Sequence, residues 1–154
     1  MRYAIAAMTI LCGLSVAPAI AAPGNCASST PADFIAQNAF RNLLTTRYAF
    51  GTTLVPAPDS WDELHPTGTT GGGTFISGGK TLNWTTTSGG GAPDTISYVY
   101  GPTATYTYKV TPVAGTTPPN TGTYLFCMTG NTAGTGLFDY TIKICTSPGG
   151  LGGC

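Results

Sequence analysis

From residue 72 onward the chain alternates, and that alternation limits what it can fold into. KTLNWTTT (80–87) puts Leu82 and Trp84 on one side, and TISYVY (95–100) puts Ile96, Tyr98 and Tyr100 together. TYTYKVT (105–111) does the same with Tyr106, Tyr108 and Val110, and TYLFCM (123–128) with Tyr124, Phe126 and Met128. LFDYTIKIC (137–145) carries Phe138, Tyr140, Ile142 and Ile144, and 74–77 is a shorter run. A period of two in Thr-, Tyr- and Ile-rich segments marks strands with one buried face. The segments are separated by Gly78-Gly79, SGGGAPD, GP, AGTTPPNTG and GNTAGTG. Connections this short join antiparallel neighbours. The expected core is an antiparallel meander of five or six strands, a curled sheet or small barrel. The tyrosines supply its apolar face, because the opposite faces (Ser97, Thr105, Thr107, Lys109) are polar.

Before the strands the period is helical. Thr30-Pro31-Ala32-Asp33 reads as a helix start, with Thr as cap, Pro at the first position and Asp three residues on. From Asp33, DFIAQNAFRNLLTTRY predicts about four turns, with Ile35, Ala36, Ala39, Phe40, Leu43 and Leu44 on one face and Gly51 as the stop. Arg41 and Arg47 fall late, where cations suit the helix dipole. The fold class is therefore α+β, mainly β, with one N-terminal amphipathic helix covering a sheet.

PDSWDELH (58–65) holds three of the six acids and the only histidine. Trp61, Asp62, Glu63 and His65 are the candidate binding residues. Two opposed carboxylates for glycoside hydrolysis normally come from different elements. No G-x-S-x-G elbow exists for a Ser-His-Asp site, and a metal site lacks a second ligand cluster. The favoured reading is a charged turn between helix and sheet, with Trp61 packed into the open edge of the core and Asp59 capping a short helical turn. No catalytic residue, metal or cofactor is expected.

Met1-Arg2, the apolar run Ala4–Ala17, Pro18 and Ala19-Ile20-Ala21 read as a signal peptide, residues 1–21, cleaved after Ala21. Residues 22–154 then form a single domain. Its four cysteines, in an exported chain, read as disulfides. Of three connectivities, Cys127–Cys145 flanks one hairpin and Cys26–Cys154 ties the N-terminus to the Gly-rich tail. The expected location is periplasmic or secreted. Charged residues are 8% of the chain, about a third of the usual share. Five basic residues remain (Arg41, Arg47, Lys80, Lys109, Lys143) against six acids, which is no nucleic-acid footprint. No later apolar run is long enough for a membrane span.

The order of segments carries a resemblance: a helix ending N-L-L, then W-D-E-L-H, a Gly-rich patch, a Trp-bearing strand, Tyr-rich strands, and G-T-Y-L-F-C before a last strand ending in Cys. Over roughly residues 35–145 it resembles small secreted proteobacterial proteins with W-x-E-x-H and Y-x-F-C segments. In that pattern a cysteine follows the helix, where Ala49-Phe50 stands here. The resemblance implies export and a small β-rich fold, and no activity. Three functions are compatible with these readings. The first is an exported non-catalytic structural or binding domain of the envelope or cell surface, whose partner would be an envelope protein or a second copy of the chain. The second is a glycan- or protein-binding module using Trp61, His65 and exposed tyrosines. The third, disfavoured by the single histidine, is a small hydrolase.

Overall fold

The computed structural model describes Cys26 and residues 29–53, 60–90 and 93–148; the signal stretch, Asp59 and Cys154 lie outside these residues. Eight strands close into one antiparallel barrel in sequence order. They are β1 (Arg47–Thr53), β2 (Ser60–Thr69), β3 (Gly72–Ser77), β4 (Lys80–Thr87), β5 (Thr95–Gly101), β6 (Ala104–Pro112), β7 (Gly122–Asn131) and β8 (Tyr140–Cys145). Each strand pairs with its chain neighbours, and β1 closes on β8 through Ala49↔Ile144 and Gly51↔Ile142. The six expected strands are all present. Two more stand where none was expected: Arg47–Thr53 is strand, not the helix's last turn, and Ser60–Thr69 is strand, not a charged turn.

The helix is shorter than its periodicity predicts. Thr30 and Asp33 do cap a turn, since Asp33 Oδ2 accepts from Thr30 N (2.6 Å) and Thr30 Oγ1 (2.7 Å). That turn is a single 3₁₀ turn, Pro31–Asp33, and α1 is a separate helix, Gln37–Leu44. Its cap position, Ala36, has no side-chain oxygen to offer the free N–H groups. Asp94 supplies one from 57 residues away, accepting from Gln37 N at 2.6 Å and from Gly89 N at 2.7 Å. The Gln37 amide donates in turn to Thr86 Oγ1 (3.0 Å). At the other end Thr46 turns the chain into β1 with φ of 59°, and its N–H donates to His65 O.

α1 packs on β1, β2, β4 and β5 and buries Phe40, Leu43 and Leu44. Its caps meet the strands where β1 begins, where β4 ends around Thr86 and where β5 follows Asp94, so the helix plugs that end of the barrel. Inside, Ala49, Phe75, Trp84, Ile96, Tyr98, Tyr108, Val110, Tyr124, Phe126, Met128, Ile142 and Ile144 form one continuous core with it. An eight-stranded barrel is just wide enough to be filled by side chains or to hold one small ligand. The exterior of β4 and β5 is Thr81, Asn83, Thr85, Ser97 and Val99, with β6 adding Thr105, Thr107 and Lys109. On these three strands the pattern is polar-out and aromatic-in, the reverse of a lipid-facing strand. No helix among the described residues is long and apolar enough to cross a membrane.

The disulfide joins Cys26 to Cys127, which excludes both expected pairs, Cys127–Cys145 and Cys26–Cys154. Residue 127 alternates with the core residues Phe126 and Met128, so its side chain leaves the barrel. It cannot face inward, and it meets the segment preceding α1 on the outside wall. Cys145 is itself disulfide-bonded. Phe50, Leu125, Cys127 and Cys145 are buried but belong to this outer surface and not to the barrel core.

Candidate functional site

The end of the barrel opposite α1 opens into a cavity of about 510 Å³, lined by Trp61, Ser77, Tyr100, Tyr106, Tyr108, Thr135, Phe138 and Tyr140. Below it, a space of about 10 Å³ is enclosed by Trp61, Glu63, Tyr98, Tyr100, Tyr108, Tyr140 and Ile142. Four residues line both, so the two form a funnel with Glu63 at its floor.

β2 builds the axis of this funnel. Successive strand residues point to opposite faces, so Trp61, Glu63 and His65 project inward while Asp62 is exposed. The structure thus brings together three of the four candidate residues and sends Asp62 to solvent. Trp61 lies at the open end, edge-on to Tyr140 with centroids 5.0 Å apart. Glu63 is 2% exposed and His65 fully buried.

Opposite them the Tyr-rich strands deliver the rest. Tyr100 OH donates to Glu63 Oε1 at 2.5 Å, and the Trp61 indole also hydrogen-bonds Glu63. His65 Nε2 is 3.2 Å from Tyr98 OH and 3.8 Å from Glu63 Oε2. With its proton on Nε2, His65 donates to Tyr98, and Nδ1 has no partner among the described residues. The His65 ring stacks on Phe75 at 5.9 Å. Phe75 in turn meets Tyr98 and Tyr100 edge-to-face, both at 5.1 Å, and Tyr108 meets Tyr140 at 5.7 Å. Edge-to-face contacts are the favoured aromatic geometry, and they lock the rings of the funnel wall.

Burial pushes the Glu63 carboxyl up to about 7, against the opposing pull of the Tyr100 and Trp61 hydrogen bonds. Burial likewise drives His65 down to about 3. The pair therefore carries one proton through the mildly acidic range. Burial raises Tyr98, Tyr100 and Tyr108, with the neighbouring Glu63 adding to each, so these phenols stay neutral.

Reading the sequence for paired strands in W-D-E-L-H would have found this axis, because W-x-E-x-H has the period of two. From the sequence the tyrosines belong to the core, and exposed tyrosines serve as contacts only in the second of the three functions. Tyr98 serves as core, Tyr108 as both core and cavity wall, and Tyr100 and Tyr106 as cavity wall. Asp139 lies beside the Cys26–Cys127 sulfurs. Those sulfurs are bonded to each other, and the Asp139 carboxylate accepts from Met128 N at 3.2 Å, so the cluster has no thiolate to offer a metal.

Gly51 fixes the Trp61 wall. It pairs directly with Trp61 across β1 and β2, and a Cβ there would run into the indole ring. Gly51→Ala is expected to push the ring into the funnel and cost about 1–3 kcal/mol, as overpacking does. A urea melt followed by tryptophan fluorescence reads both effects. Combined with Trp61→Ala, the Gly51→Ala cost should largely vanish, a coupling that a double-mutant cycle measures.

Fold and site together define a class: a closed up-and-down barrel, plugged by a helix at one end and open to an aromatic cavity at the other. Comparison with protein-family models, curated proteins and solved structures finds no match.

Proposed function

We propose that this is an exported, non-catalytic binding protein of the bacterial envelope or cell surface, which holds a small, largely apolar ligand in the open end of its barrel. The observation that carries this reading is the cavity itself: about 510 Å³, within the range of small-molecule sites and lined as they are, by aromatic rings with a few polar groups. A barrel serving only as a structural module gains nothing from leaving one end unfilled while a helix plugs the other. Among the described residues the lining offers a single carboxylate, Glu63, where glycoside hydrolysis uses two. Export is supported by the leader-like segment and by the disulfide, which persists in oxidising compartments. The resemblance to small secreted proteobacterial proteins agrees with that location.

The test uses the protein recovered from the periplasm or medium, with a mature N-terminus at Ala22 checked by mass spectrometry. Titrated with the neutral fluorescent probe N-phenyl-1-naphthylamine, it should enhance the probe's emission saturably, and Tyr106→Trp or Phe138→Trp should weaken that response by filling the mouth. An unenhanced probe, or mouth variants that bind as well as the parent, would leave only a structural role. Retention on polysaccharide resin that survives both mouth substitutions would favour glycan binding on the threonine-rich exterior.

A further inference from the structure

The ligand class can be narrowed, on the basis of the binding function just proposed. The chain has six acids, and one of them is held inside the barrel, almost completely out of solvent. A buried carboxylate is expensive unless a cation or several donors accompany it. The donors are Tyr100 and Trp61. Among the described residues, no Lys or Arg lines either part of the funnel. Arg41 and Lys80 are exposed, and Lys109 is outside the barrel over the Phe34 ring. The remaining surroundings of Glu63 are mostly aromatic: Trp61 on its own strand, Tyr98 and Tyr100 from β5, Tyr108 from β6 and Tyr140 from β8, with Ile142 the one aliphatic side chain among them. Aromatic rings grouped around a carboxylate suit an organic cation, because ring quadrupole and carboxylate attract the same charge.

Size narrows the class further. The space next to Glu63 is about 10 Å³, the room of one water molecule. A primary ammonium has a head of that size, whereas a trimethylammonium does not. The funnel above is wide enough for an apolar body.

We propose that the barrel selects a small primary amine, with its ammonium group seated against Glu63 and its apolar body resting among Trp61, Tyr100, Tyr106 and Phe138. His65 is the one other ionisable group of β2 facing this floor, 3.8 Å from the carboxylate, and its burial keeps it neutral. It therefore leaves the ammonium as the sole cation there.

Isothermal titration with 2-phenylethylamine, 2-phenylethanol and the N,N,N-trimethyl derivative of the amine tests this. The amine should bind at least tenfold more tightly than either analogue. Glu63→Gln should abolish the preference over the alcohol, while Asp62→Asn, which removes the same charge from the outward face, should keep it. The amine stays protonated below about pH 9, so its affinity should fall as pH drops through about 7, where Glu63 takes up a proton. The alcohol's affinity should stay flat. This pH arm needs no variant and decides the matter if Glu63→Gln fails to fold. Equal affinities for amine and alcohol, with the naphthylamine probe still bound, would overturn the amine inference and spare the binding function. Binding of the trimethyl derivative as tight as the amine's would overturn the seat at the floor. Failure of all three ligands and of the probe would overturn both.

Discussion

Replacing Cys26 and Cys127 together by serine should lower the unfolding free energy by about 4–5 kcal/mol. The bond links residues 101 apart in sequence, and in the chain-entropy model a loop of that length restricts the unfolded chain by about that much. A domain of this size has roughly 5–15 kcal/mol in total, so the double variant should be marginal at room temperature. The local consequence is specific. Cys26 pins the segment leading to α1 against the outer wall of β7, and Ile35 N donates to Val110 O on the same side at 2.8 Å. Without the bond, the segment that feeds the helix plug keeps such contacts, the Lys109–Phe34 contact and the Asp94 cap. Urea denaturation of parent and variant measures the loss, and peptide mapping of the intact protein should recover a linked Cys26–Cys127 pair. A loss below about 1 kcal/mol, or a linked Cys127–Cys145 peptide, would show that the barrel is stapled differently.

That staple was one of the features the sequence hid, and the reason is physical. Alternation and turn residues are local signals, and the six strands from 72 onward were legible from them. The Cys26–Cys127 bond, the Asp94 cap on α1 and the β1–β8 seam depend on partners more than 50 residues away, for which no local pattern exists. Strand β1 was lost for a different reason. RYAFGTT follows a helix whose apolar spacing runs smoothly into it, and the break is two residues, Thr45 and Thr46, the second in a left-handed conformation that threonine rarely adopts. Strand β2 was lost because its inward residues break the rule that strands are recognised by. Trp61, Glu63 and His65 alternate correctly, but two of the three are ionisable, so the segment reads as a charged turn. A strand that turns an acid and a histidine into a barrel core departs from local consistency, and such departures collect at functional sites. The stretch that misled the fold reading is therefore the one that carries the candidate site.

Glu63 and His65 also predict an unusual dependence of stability on pH. Glu63 is raised from 4.5 to about 7 in the folded protein. Its contribution is present below pH 4.5 and lost as pH rises through 7, because the unfolded chain gives up that proton first. His65 is lowered from 6.5 to about 3, so its contribution is present above pH 6.5 and lost as pH falls toward 3. Between pH 4.5 and 6.5 the two slopes have opposite sign, and the parent protein should show a plateau. Each single variant should expose the other slope. In Glu63→Gln, stability should rise by about 2 kcal/mol from pH 4.5 to 6.5, the slope approaching about 1.4 kcal/mol per unit in the lower part of the range. In His65→Phe, whose ring can keep the stack on Phe75, it should fall by a similar amount over the same range. Asp33 and Asp94 are held below their usual 3.8 by hydrogen bonds, so they titrate beneath this window. Any remaining background is common to all three proteins. Urea unfolding at four pH values from 4.5 to 6.5 gives the three slopes. Parallel curves for parent and variants would mean that the carboxylate and the imidazole titrate as exposed groups and that the funnel floor is wet. Nitrogen-15 shifts of the imidazole add a second reading: at pH 5 the ring of the folded protein should still be neutral, where an exposed histidine would already be mostly charged.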